Sequence, residues 1–63
     1  MKHQKMSMKQ FANFVLDEDL AEEKMFKDIK TGEDVYHYYK DRKLVGVAYY
    51  RTPENSTYFR LRE

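Results

Sequence analysis

The residues of this chain that are best suited to chemistry are two histidines and a dense run of acids. His3 and His37 lie far apart, and His37 stands among tyrosines in the segment DVYHYYKDRKLVGVAYYR, residues 34–51. A histidine can act as a general base when a carboxylate orients it. The simpler interpretation, a sheet histidine stacked on neighbouring rings, is the one we favour. The two histidines are too dissimilar in setting to suggest a zinc site.

The acidic run is the sharpest charge feature of the sequence. The segment DEDLAEE, residues 17–23, contains five acids in seven residues: Asp17, Glu18, Asp19, Glu22 and Glu23. It lacks the ligand spacing and the glycine of a calcium-binding EF-hand loop. It is therefore interpreted either as the solvated start of a capped helix or as an acidic patch that contacts a basic partner.

Other catalytic arrangements are missing from the sequence. The chain contains no cysteine, so thiol chemistry and disulfides are excluded. Its two glycines, Gly32 and Gly46, are isolated and form no phosphate-binding loop. Neither Ser7 nor Ser56 stands in the sequence context of an activated nucleophile. We therefore expect no enzyme activity, no metal site and no cofactor.

Length and composition indicate one small domain, residues 1–63, with residues 1–6 frayed. A domain of 63 residues buries only about 60% of its extended surface and is marginally stable on its own. Without disulfides, aromatic packing or self-association must help to stabilise it. The N-terminal residues lack the apolar stretch of a signal peptide, and no run approaches the length of a membrane helix. A cytoplasmic location is expected.

The net charge of +1 hides a segregation along the chain. Residues 1–16 carry three lysines and no acid, residues 17–34 carry eight acids and three lysines, and residues 35–63 carry six bases and three acids. A nearly neutral chain is unusual for a dedicated DNA-binding protein, because phosphate neutralisation dominates such affinities. A local basic face is still compatible with this composition.

The first half of the chain is predicted to be helical. Ser7 and Gln10 match the S-x-x-Q capping box of a helix start. An apolar stripe follows at helical spacing, formed by Phe11, Phe14 and Val15.

The apolar stripe is interrupted in the acidic run, which leaves two alternatives for the helical structure of residues 8–30. One is a single helix over residues 8–30 with a drifting stripe. The other is a break near residues 17–19, where Asp17 or Asp19 caps a second helix. Ala21, Met25 and Ile29 would form the stripe of that helix, and Gly32 would end it. Two short helices or one kinked helix are the favoured forms.

The second half predicts a three-stranded antiparallel meander, so the expected fold class is α+β. Strands are expected over residues 35–40, 44–51 and 57–62, which are rich in aromatic and β-branched residues. The turns are Asp41-Arg42 and the loop TPENS, residues 52–56.

Strict alternation along these strands divides their side chains between two faces. The expected core face contains Tyr36, Tyr38, Val45, Val47, Tyr49, Phe59 and Leu61. The other face contains Val35, His37, Tyr39, Leu44, Gly46, Ala48, Tyr50, Tyr58, Arg60 and Arg62. The small residues of this second face leave a shallow trough. The opposite arrangement, in which the helices cover the second face, remains an alternative.

The second face supplies the candidate binding residues, because tyrosine and arginine are enriched in interface hot spots. They are Tyr39, Tyr50, Tyr58, Arg60, Arg62 and His37, together with the acidic run. The leading hypothesis is a small protein-binding regulator or inhibitor, a type common among phage-encoded proteins by class-level analogy. The alternative is a nucleic-acid-binding module that stacks bases on the sheet. A homodimer that hides the aromatic face is a third candidate.

Overall fold

The computed structural model describes the backbone of residues 2–62 and the side chains of residues 3–61. In that range the elements are β1 (Lys2–Met6), α1 (Met8–Asp17), β2 (Ala21–Asp28), β3 (Glu33–Lys40), β4 (Lys43–Tyr50) and β5 (Thr57–Arg62). The strands form one antiparallel sheet in the order β1-β5-β4-β3-β2. α1 packs on one side of it, which we call the helix face, and the opposite side is called the open face.

The prediction of a helical N-terminal half followed by a three-stranded meander is wrong. The described chain has one ten-residue helix, and the strands β3, β4 and β5 are the centre of a five-stranded sheet. The two outer strands come from segments expected to be helical (β2) or frayed (β1). β1 pairs with β5 over its whole length, so residues 2–6 are ordered by an edge pairing that their polar side chains do not reveal.

The start of α1 confirms the capping box. The Ser7 hydroxyl accepts a 3.1 Å hydrogen bond from the backbone N–H of Gln10, and the Gln10 side chain accepts a 3.0 Å bond from the backbone N–H of Ser7. These two bonds satisfy amides that have no partner inside the helix.

The end of α1 explains why no second helix follows. Asp19 has a left-handed backbone with φ of 52°. Its N–H bonds to the carbonyl of Leu16, and the N–H of Leu20 bonds to the carbonyl of Val15. These are the two bonds of a Schellman cap, with aspartate in the place usually held by glycine. The acids were expected to start a helix, but Asp19 ends one and turns the chain toward β2.

β2 forms through backbone pairing rather than through side-chain burial. Seven of its eight residues are exposed, which is why its side chains give no strand pattern. β2 pairs with the outer edge of β3 and satisfies the backbone N–H and C=O groups there. β3 contains the buried residues Val35 and Tyr38. Tertiary pairing therefore overrides the weak helical stripe of this segment.

A bulge in β4 corrects the predicted faces. Tyr39 pairs with Leu44, as a two-residue turn at Asp41-Arg42 requires, but Tyr38 pairs with Gly46, so Val45 is an extra residue. The strand beyond the bulge is therefore inverted relative to the prediction. The helix face contains Tyr36, Tyr38, Gly46, Ala48, Tyr50, Tyr58 and Arg60, whereas the open face contains Val35, His37, Tyr39, Leu44, Val47, Tyr49, Phe59 and Leu61.

The core lies where α1 meets the small residues of β4. A side-chain carbon added to Gly46 would lie 3.2 Å from the Phe11 ring and 3.4 Å from the Phe14 ring. The Phe11 ring is 3% exposed and lies between Tyr38 and Tyr58, at centroid distances of 5.0 and 5.3 Å. The shallow trough predicted over Gly46 and Ala48 is thus filled by the helix.

No helix in residues 2–62 is both long enough and apolar enough to cross a membrane.

Candidate functional site

A groove runs along α1 where the helix leaves part of the helix face uncovered. α1 lies toward the β1 and β5 side of the sheet, so Tyr50 of β4 stays exposed beside it and Tyr36 of β3 stays partly accessible, whereas Tyr38 is buried. The groove has a volume of about 530 Å³. It is lined by Met8, Phe11, Ala12, Val15, Leu16, Glu22, Tyr36, Tyr38, Ala48, Tyr50 and Tyr58.

Three large hydrophobic side chains that are exposed to solvent line this groove. Leu16 is 77% exposed, Met8 is 55% exposed and Tyr50 is 37% exposed. Met8, Ala12 and Leu16 follow one another at four-residue spacing on the side of α1 that lines the groove. Phe14 lies on another side of the helix and does not line the groove. Exposed apolar groups that converge on one concave surface are typical of binding sites.

The floor of the groove contains one carboxylate. Glu22 of β2 is the direct cross-strand partner of Tyr38, and its carboxylate accepts a 2.6 Å hydrogen bond from the Tyr38 hydroxyl. The ion pairs of Lys24 with Asp34 and of Lys40 with Glu18 do not include Glu22. The groove therefore presents a carboxylate that is held by a tyrosine hydroxyl and that takes no part in either of these ion pairs.

The five residues of the acidic run fall into two groups: Asp19, Glu22 and Glu23 line one shallow depression with Tyr39 and Arg42, and Asp17 and Glu18 line another with Arg60. Asp17 ends α1, and Glu18 and Asp19 form its cap. The Lys40 ammonium bonds to Glu18 and holds the pKa of that carboxyl below its usual value. Alternation along β2 then places Glu22 in the groove and Glu23 on the open face. Only Glu22 therefore contributes to the groove.

The predicted tyrosine and arginine face is divided between the two sides of the sheet. Tyr50, Tyr58 and Arg60 lie on the helix face, whereas His37 and Tyr39 lie on the open face. Tyr58 packs against Phe11, and the Arg60 guanidinium lies 4.6 Å from the centre of the Phe14 ring. The side chain of Arg62 lies outside the described residues. These positions do not form one continuous surface.

Sequence reasoning missed Met8, Leu16 and Tyr36 as parts of a site. The available signal was a second apolar stripe on the helix, in which Met8, Ala12, Val15 and Leu16 recur at spacings of three and four. A helix with two apolar flanks can bury only one of them against a sheet, and the other becomes a surface.

His37, the residue considered as a general base, lies on the open face of the sheet. His37 lies opposite Glu23 and Val47 in the sheet, and its ring contacts the Tyr39 hydroxyl at 3.4 Å. No group of three or more histidine, aspartate or glutamate side chains in the described part of the chain is placed to hold a metal ion.

No protein-family model, curated protein or solved structure matches the chain significantly.

Proposed function

We propose that this protein is a non-enzymatic regulator or inhibitor that binds another protein through the groove beside α1. The observation that carries the proposal is the convergence of exposed apolar side chains, among them Leu16 at 77% and Met8 at 55% exposure, on a groove that contains the carboxylate of Glu22. Such a surface is costly to leave in water and suits a protein partner. A cytoplasmic location, consistent with a chain without cysteine, is part of the proposal.

The partner element that best fits the groove is an amphipathic helix. The groove follows α1 from Met8 to Leu16, a length of about 12 Å, which corresponds to about two turns of a neighbouring helix. A helix satisfies its own backbone hydrogen bonds, whereas an extended segment would need an open strand edge. The strands β3, β4 and β5, which supply the tyrosines of the groove, are each paired on both sides and offer no open edge.

The charge of the groove indicates which helix it prefers. The ion pairs of Lys24 with Asp34 and of Lys40 with Glu18 leave Glu22 out, and residues 17–34, which include Glu22, carry more acids than bases. A lysine or arginine on the partner helix, placed over Glu22, would pair with this carboxylate. Such complementarity mainly sets specificity and the rate of association, and it weakens as salt increases.

The helix face supports a protein partner better than a nucleic acid. Base stacking needs open rings, and phosphate binding needs free cations. Tyr58 packs under α1, and the Arg60 guanidinium lies over the Phe14 ring. The one carboxylate in the groove, that of Glu22, would repel phosphates. We therefore rank the nucleic-acid alternative below protein binding.

Affinity capture with matched variants tests the proposal. The tagged chain is used to isolate partners from its native cell at low salt, in parallel with Leu16→Lys and Ile29→Lys. Both variants replace a highly exposed aliphatic side chain, but only Leu16 lines the groove. We expect a partner that is retained by the wild type and by Ile29→Lys and is lost with Leu16→Lys. Equal retention by all three chains, or nucleic acid alone, would refute the groove as the binding site.

A further inference from the structure

The open face is an aromatic surface with nothing packed over it in the described chain. Phe59 makes edge contacts with Tyr49 and with His3, each at a centroid distance of 6.1 Å. Tyr49 and Phe59 are the cross-strand partners of Val35 and Val47, which are 5% and 8% exposed. The rings themselves stay partly accessible and form the outermost layer of this face.

One row of directly paired residues crosses the whole open face. It runs from β1 to β2 through Lys5, Phe59, Val47, His37 and Glu23. The row begins with an exposed lysine at one sheet edge, has an apolar and aromatic centre, and ends with an exposed glutamate at the other edge. A surface with opposite charges at its two ends is complementary to itself after a half-turn.

We propose that the open face binds a second copy of this chain through a two-fold axis parallel to the strands and close to Val47. This rotation reverses the strand order in the facing sheet, so Lys5 of each copy lies over Glu23 of the other. Phe59 then faces His37, and Val47 faces its own copy. A two-fold axis across the strands would instead oppose lysine to lysine and glutamate to glutamate, which is unfavourable. Aligned packing of two sheets is a common arrangement.

The dimensions of the chain are adequate for such a dimer. The two larger extents are 31 and 22 Å, which gives a face of at most about 700 Å², close to the roughly 800 Å² per partner of a standard interface. The accessible surface is 4945 Å², whereas a compact monomer of 7.7 kDa has about 4,300 Å². The groove beside α1 accounts for part of this excess, and the partly accessible rings of the open face contribute as well.

The dimer would leave the groove available. α1 lies on the side of the sheet opposite to the open face, so both helices and both grooves point outward. Dimerisation is therefore independent of the proposed partner site, and the assembly presents two copies of it.

Sedimentation equilibrium of the full chain tests the dimer. Protein concentrations of about 10 to 500 μM are used, because the proportion of dimer changes in this range for a complex of micromolar affinity. Lys5→Glu and Glu23→Lys are each compared with Glu54→Lys, which changes an exposed loop residue. Each reversal at Lys5 or Glu23 places like charges at both ends of the interface. We expect dissociation constants to rise at least tenfold, with no change for Glu54→Lys.

The double variant Lys5→Glu/Glu23→Lys separates pairing from a general loss of affinity. Exchanging the two charges restores opposite signs across the two-fold axis, so dimerisation should return to near the wild-type level. Three results would overturn the proposal. They are a wild-type chain that is monomeric at all concentrations, a dissociation constant that Glu23→Lys leaves unchanged, and a double variant that stays dissociated. Circular dichroism confirms that every variant is folded.

Discussion

The hydroxyl of Tyr38 donates a 2.6 Å hydrogen bond to the carboxylate of Glu22 across the pairing of β3 with β2. Burial of the phenol, followed by the hydrogen bond to the adjacent carboxylate, raises the pKa of Tyr38 above its ordinary value of 10.0. The phenol therefore remains a donor in alkaline solution. This bond fixes the position of the only carboxylate in the groove.

Tyr38→Phe should lower the free energy of unfolding by about 1–2 kcal/mol at neutral pH, because a hydrogen bond to a charged acceptor is lost. Folding raises the pKa of Tyr38, so its contribution to the free energy of unfolding is complete below the pKa of this tyrosine in the unfolded chain. The contribution then decreases as the pH rises above 10.0. Urea denaturation of both chains at pH values on either side of 10.0 measures the difference. A difference that grows with pH would contradict the assigned donor.

Gly46→Ala should destabilise the domain by about 1–3 kcal/mol, because the added methyl group overpacks the helix against the sheet. Phe11 cannot move aside, since it is enclosed by Tyr38, Tyr58 and Phe14. The double variant Gly46→Ala/Phe11→Leu should lose less than the sum of the two single changes. If thermal or urea denaturation shows that the two changes lower the free energy of unfolding additively, Phe11 does not pack on Gly46 and the helix lies elsewhere on the sheet.

Arg42→Gly should stabilise the domain by about 0.5–1 kcal/mol. Asp41 and Arg42 form the β3–β4 turn with φ values of 52° and 68°, a conformation that glycine adopts without steric cost. The gain from relieved strain exceeds the added entropy of the unfolded chain. Arg51→Gly is the control, because Arg51 is exposed and has no positive φ; it should be neutral or destabilising. If both changes destabilise, the turn is not of this type.

The ion pair between Glu18 and Lys40 should make stability depend on pH in the acid range. The hydrogen bond and charge of Lys40 lower the pKa of Glu18 from its usual 4.5. A carboxyl with a lowered folded-state pKa stabilises the fold above its unfolded pKa and loses that effect as the pH falls. The stability difference between the wild type and Glu18→Gln should therefore shrink below pH 4.5. A difference that stays constant as the pH falls through this range would contradict the pairing of Glu18 with Lys40.

The parts of the fold that were predictable depend on local chemistry. The capping box of Ser7 and Gln10 and the burial of Phe11 and Phe14 follow from side chains within one helical turn of each other. The two-residue turn at Asp41-Arg42 also follows from the lengths of the flanking strands.

The parts that were not predictable depend on long-range pairing. β2 exposes almost every side chain, and β1 is a polar edge strand, so neither shows a strand pattern. The bulge at Val45 shifted the register by one residue and moved Gly46 and Ala48 under the helix. That shift divided the predicted tyrosine and arginine face, and the groove could only be recognised once the position of α1 was known.

The most direct test of the groove is amide hydrogen exchange of the chain with and without its captured partner. We predict that protection increases along α1 and in β3 and β4 near Tyr36 and Tyr50. Glu22→Gln, which keeps an acceptor for Tyr38, should bind more weakly at low salt and with less salt dependence than the wild type. Protection confined to the open face, with α1 unchanged, would contradict the account.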